Sequence, residues 1–156
     1  MNAPNAVTAD EIDTLRSKAV RCLRLANDRD KARSLATEAE QMLARLSDSP
    51  DAEADIYAGL AGLWRDLGDH QRAETLIKKA IERDALAEKS RPLIHGTHHF
   101  FIAKLLFEQK RFAEAAKYAR DGLALYEQGV EPGNRELAYQ RQLLEPVLRA
   151  GEGEPS

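Results

Sequence analysis

Residues Gly68–Asp84 read GDHQRAETLIKKAIERD, and this stretch decides the fold. Ala73, Leu76 and Ala80 recur at helical spacing, and Gly68-Asp69 ahead of them is a turn signal. Two other stretches align with it without gaps. They are NDRDKARSLATEAEQML from Asn27 and KRFAEAAKYARDGLALY from Lys110, at separations of 41 and 42 residues. Ala32, Ala73 and Ala115 coincide, as do Leu35, Leu76 and Tyr118, and Ala39, Ala80 and Gly122. A small residue at a fixed register lets one helix approach its neighbour, and the larger residue three positions on fills the adjacent gap. The preceding segments align as well. Ala19-Val20, Leu60-Ala61 and Ile102-Ala103 coincide, and so do Leu23, Trp64 and Leu106. Each unit therefore reads as two antiparallel helices joined by a tight turn. One such pair cannot bury its apolar face alone, so the pairs are expected to stack.

The rest of the chain agrees with an all-helical reading. Its 156 residues hold 25 Ala and 20 Leu against 15 Val, Ile and Thr together, a balance that favours helix because β-branched side chains lose rotamer freedom there. Turn signals divide the chain into helical segments at about 9–26, 29–46, 51–67, 70–88, 92–108, 111–128 and 134–149. Thr8 with Glu11 forms a capping box, Ser49 precedes Pro50 at a first helical position, and Asn134 is placed to cap the last helix. Pro146 is expected to kink or end that helix early. The helix pairs then occupy about 9–46, 51–88 and 92–128, with a capping helix at 134–149. Flexible tails are expected at 1–8 and 150–156.

The pattern resembles the tetratricopeptide repeat. The middle unit matches it with Tyr57, Leu60, Ala61, Trp64, Gly68, Asp69, Ala73, Ile77 and Ala80. The third matches with Ala103, Phe112, Ala115 and Leu123, although Gly122 replaces the second Ala and Lys110 the turn glycine. The first is degenerate, with Ala36 where a large residue is usual. The resemblance implies a right-handed superhelical solenoid of three helix-turn-helix repeats plus the C-terminal cap. The long period resembles the subclass typified by kinesin light chains and many bacterial relatives.

The same resemblance implies a protein–protein interaction module, an adaptor, scaffold or co-chaperone-like part. It would bind a peptide or helical segment of a partner on a concave surface lined by the first helices. By alignment that lining comprises Lys18, Arg21 and Arg24, then Gly59, Gly62 and Arg65, then Thr97, Phe100, Phe101, Lys104 and Phe107. The basic residues would attract an acidic segment, and the phenylalanines would supply apolar anchors. The positions that grip a terminal carboxylate in heat-shock co-chaperones hold Ser17, Arg21, Gly59, Thr97 and Phe101 here, with one base among them, so that clamp is not expected.

Other chemistry is weakly represented. His95, His98 and His99 fall at i, i+3 and i+4, a spacing that can share Zn or Ni, and they raise the alternative of a metalloenzyme accessory factor. His98 and His99 nevertheless align with the inward positions Ile56 and Tyr57. A self-associating structural protein is the other alternative. No phosphate loop, G-x-S-x-G or His-Glu-x-x-His is present, so neither an enzyme nor a resident cofactor is expected. The formal charge of −3, with bases scattered among acids, argues against nucleic acid. Phe100–Phe107 is too short and is broken by Lys104, so no membrane-spanning helix is expected. The lone Cys22, expected to be a small buried apolar residue, suits a reducing compartment, the cytoplasm.

Overall fold

The computed structural model describes residues 5–153, and the expected all-helical class holds. Seven α-helices follow one another: α1 (Ala9–Arg24), α2 (Arg29–Met42), α3 (Pro50–Asp66), α4 (His70–Asp84), α5 (Pro92–Glu108), α6 (Phe112–Gln128) and α7 (Arg135–Glu152). A short 3-10 turn, Leu43–Arg45, tightens the end of α2. The helices fall into two compact units, Met1–Ala87 and Glu88–Ser156.

The turns inside the three pairs repeat in atomic detail. Asn27, Gly68 and Lys110 each adopt a left-handed backbone, with φ of 49°, 87° and 61°. The residue after each is the N-cap of the second helix: Asp28, Asp69 and Arg111, with φ near −90° in all three. Asp28 and Asp69 accept from the backbone N–H groups of Lys31 and Arg72, both at 3.0 Å. Arg111 offers no such acceptor; instead its guanidinium pairs with Glu114 at 2.8 Å. Glycine alone adopts this backbone without steric penalty. The degenerate turns at Asn27 and Lys110 therefore keep the geometry at a cost that Gly68 avoids.

In the first unit, the small residues sit where the alignment puts them. Ala32, Ala39, Ala73 and Ala80 are fully buried. Around them Ile12, Leu60, Leu63, Trp64 and Ile77 fill the interior. The second pair is tied at both ends. Arg83 pairs with Glu53 at 2.9 Å, and the Arg72 guanidinium lies 4.5 Å from the centre of the Trp64 ring. The Arg72 cation lies over the face of this fully buried ring, a desolvated cation–π contact. Arginines of α2 finish α3: Arg29 and Arg33 donate to the carbonyls of Asp66 and Leu67 at 3.3 and 3.2 Å. They meet the negative end of that helix dipole.

The expected loose N-terminal tail is corrected over its described part; Met1–Pro4 lie outside the described residues. Val7 is buried and pairs with the segment after α2. Its N–H donates to the Arg45 carbonyl at 2.9 Å, and its own carbonyl accepts from Ser47 N–H at 3.0 Å. Thr8 and Glu11 complete the capping box. Asp48 accepts from Ala9 N–H at 3.0 Å, so the linker before α3 also anchors the start of α1.

In the second unit, α5 and α6 approach at two glycines. A β-carbon on Gly96 would sit 2.8 Å from the carbonyl oxygen of Gly122. One on Gly122 would sit 2.8 Å from His99 Cβ and from the Phe100 ring. Gly122 thus stands where the other pairs have alanine because the Phe100 ring, at the position of Ala58 in the second pair, fills the space a β-carbon would take. Helix α7 packs on α6 through Leu137, Leu144 and Val147. The expectations for its end are also corrected. The helix runs through Pro146 to Glu152, and Gly151 sits directly on Ala116 of α6. That contact holds the last turn in place despite the hydrogen bond that proline cannot make. The remaining tail residues 154–156 lie outside the described residues.

Two stability predictions follow from these contacts. Lys110→Gly should raise stability by about 0.5–1 kcal/mol, because the left-handed strain is relieved. Gly122→Ala should lower it by about 1–3 kcal/mol through overpacking against His99 and Phe100. Urea unfolding of each variant against the parent chain measures both.

Candidate functional site

The expected lining residues lie on first helices, but not all of them face open space, and not all share one surface. In the first unit, a cleft of about 440 Å³ runs between α1 and α3, lined by Ala9, Asp10, Asp13, Arg16, Ala52, Asp55, Ile56 and Gly59. Gly59 serves helix packing here. A β-carbon at that position would fall 2.9 Å from Arg16 Cδ, so the glycine makes room for the arginine stem. Arg16 in turn is held by Asp13 at 2.6 Å. Gly62, one turn further along α3, is different. Nothing lies within 4 Å of where its β-carbon would be.

Lys18 and Arg21 are absent from the α1–α3 cleft. They border a separate opening formed by α1 and α2, together with Cys22, Leu25, Ala26, Lys31 and Leu35. The cleft between α1 and α3 instead carries three aspartates and one arginine. The expected basic lining is corrected accordingly: the helix register turns Lys18 and Arg21 toward α2. Arg24 lies 3.9 Å from Asp66 with its side chain 70% exposed, a pairing of little energetic weight. Arg65, on α3, is half-buried. Cys22, expected to be buried, is half-exposed at the edge of the second opening.

In the second unit the phenylalanines divide. Phe100 is 3% exposed, and its ring lies 5.7 Å from that of Tyr126 on α6. It is a core residue, and its expected role as a surface anchor is corrected. Burial, and then the charge of Glu136, raise the Tyr126 phenol above its ordinary value, so this hydroxyl stays protonated beside the ring. Phe101 and Lys104 are half-buried, and Thr97 is exposed with its hydroxyl donating to the Leu93 carbonyl at 2.8 Å. Phe107, also half-buried, lies against Phe112 with ring centres 5.4 Å apart.

The three histidines do not assemble a metal set. His98 and His99 are buried, as their alignment with inward positions suggests. His99 Nδ1 donates to the His95 carbonyl at 2.9 Å, and its ring rests between those of His95 and Tyr118 at 4.9 and 5.9 Å. Buried between these two rings, His99 packs within the α5–α6 pair. Among the described residues, no three His, Cys, Asp or Glu side chains converge as metal ligands. Among the same residues, no helix is long and apolar enough to cross a membrane.

The sequence reading missed Arg33 of α2 and Arg72 of α4. Arg33 lies 6.0 Å from the Trp64 ring centre while it caps α3, and Arg72 bridges Asp69 and Glu40 at 3.5 and 3.9 Å. A basic residue early in a second helix carries no local signal of such a role, since the carbonyl that Arg33 reaches lies over thirty residues away in the chain.

No curated protein matches the chain significantly. A profile of the tetratricopeptide repeat matches residues 54–83 and 102–136. The first match covers most of α3 with α4, and the second runs from within α5 through α6 into α7. Together with three left-handed turns at one register, these matches support a protein of the tetratricopeptide-repeat family.

Proposed function

We propose that the chain is a non-enzymatic protein-interaction module of the long-period type, an adaptor or scaffold. It holds segments of a partner protein against the exposed faces of its first helices. Tetratricopeptide repeats generally mediate protein–protein interaction, and the matched stretches support that role here. A compartment that keeps Cys22 reduced, such as the cytoplasm, suits the chain.

The observation that carries this reading is Gly62. A glycine inside a helix costs about 1 kcal/mol relative to alanine. Gly59 recovers that cost by admitting Arg16, but Gly62 faces open space. A bare patch of backbone on α3 permits close approach by something outside the chain. Ala58 beside it is only half-buried, which extends the low surface. On α5, the equivalent face offers Phe101 and Phe107 as apolar anchors, with Thr97 and Lys104 to orient a polar or acidic group. Within the first unit, the aspartates of the α1–α3 cleft favour a basic group.

Gly62 supplies the test because its two roles separate. Gly62→Ala should stabilise the fold by about 0.5–1 kcal/mol, since nothing inside the chain needs the glycine. Gly62→Leu should leave the fold intact and weaken capture of a partner from native extract by about tenfold or more, a loss of ~1.4 kcal/mol. Pull-down with mass-spectrometric quantification reads the second effect and urea unfolding the first. Undiminished capture by Gly62→Leu and by Phe101→Ala would place binding on another face.

A further inference from the structure

The two helix pairs of the first unit have unequal interiors. On α3 and α4, Leu60, Leu63, Trp64, Leu76 and Ile77 are at most 3% exposed. On α1 and α2, Ile12 is the one large apolar side chain buried to that degree. The other buried positions of this pair are alanines, and Ala36 stands at the register of Ile77. Leu15, Val20, Leu23, Leu35 and Met42 are only half-buried, and Leu25, at the end of α1, is 81% exposed. Apolar burial scales with the area removed from water, so α1–α2 gains far less from it than α3–α4 does. The conformational entropy lost per ordered residue is no smaller.

Docking of the first pair leans on polar ties instead. Arg29 and Arg33 reach the carbonyls of Asp66 and Leu67 at the end of α3, and Glu40 of α2 lies 3.9 Å from Arg72 of α4. These three arginines are exposed, so salt screens what they contribute. The bridge at Val7 and the Asp48 carboxylate on Ala9 N–H fasten α1 to the segment that follows α2, and neither reaches α4.

Repeat register says what the first pair hides. One repeat of 41 residues on from Cys22, Ala26 and Leu35 stand Leu63, Leu67 and Leu76. The first three have no helix pair ahead of them among the described residues, and they are half-buried or exposed. The three leucines, with α1–α2 ahead of them, are 2–3% exposed.

We propose that α1–α2 is a labile cap that unfolds locally while α3 and α4 stay helical, and that its opening bares the face of Leu63, Leu67 and Leu76. Few buried apolar side chains and exposed polar ties place this pair at the low end of local stability. Ionic strength sets the balance: the face is concealed at low salt and bared increasingly as salt rises. The α1–α3 cleft exists only in the closed form, so opening also dissolves it.

Hydrogen exchange of the full chain, resolved by peptide and corrected for intrinsic rates, tests this. Central amides of α1 and α2 should exchange about tenfold or more faster than those of α3 and α4, and added salt should widen the ratio. Replacing both Arg29→Ala and Arg33→Ala, at exposed positions that leave the interior intact, should quicken exchange in α1 and α2 again by several-fold and leave α3 and α4 unchanged. Equal protection in all four helices overturns the proposal. So does a double variant that quickens α3 and α4 as much as α1 and α2, which would mean one cooperative block, or an α1–α2 exchange that salt leaves unchanged.

Discussion

Two helices can cross at backbone contact only where side chains are missing, and this constraint organises the whole chain. In each pair the crossing falls on the same register of the second helix, at Ala32 and Ala39, Ala73 and Ala80, Ala115 and Gly122. Dispersion and burial then act over the length of both helices, because the axes are close. The turn that precedes the crossing is fixed by the same need. A left-handed residue at Asn27, Gly68 or Lys110 reverses the chain within two residues and delivers the second helix at the right rotation. Turn and crossing are one device, repeated three times with different residues.

That device explains which features could be read from sequence. Small residues at a fixed spacing have few uses in a helix interior other than close packing, which is why the crossings at Ala32, Ala73 and Ala115 are legible in the sequence. Caps at Thr8, Ser49 and Asn134 were equally legible, because capping is decided within four residues. What failed were judgments about ends. Val7 gains its place from a bridge to Leu46, and α7 survives Pro146 because Gly151 rests on Ala116. Both depend on residues distant in sequence, which no local rule sees. Gly96 carries no local signal of its role, yet its absent side chain is what brings α5 against α6.

The site was legible as a set of positions but not as a surface. Alignment assigns a residue to the first helix and to a register; it does not say which side of that register a neighbour covers. Phe100 and Gly59 both fell on the chosen face, and both proved to be turned toward another helix. Lys18 and Arg21 shared a helix with the cleft residues Asp10 and Asp13, yet a rotation of one position separates basic and acidic surroundings. Charge counted along a helix is therefore a poor guide to charge in a groove.

The chain has one tryptophan, and it lies at the centre of the first unit, fully buried beneath Arg72. Its fluorescence is consequently a private signal of α1–α4. Loosening of those helices wets the indole and shifts its emission to the red, whereas melting of α5–α7 passes unseen in that channel and must be followed through backbone ellipticity. A difference between the two readouts would separate the units as independent melting blocks, and coincidence would make them one cooperative whole.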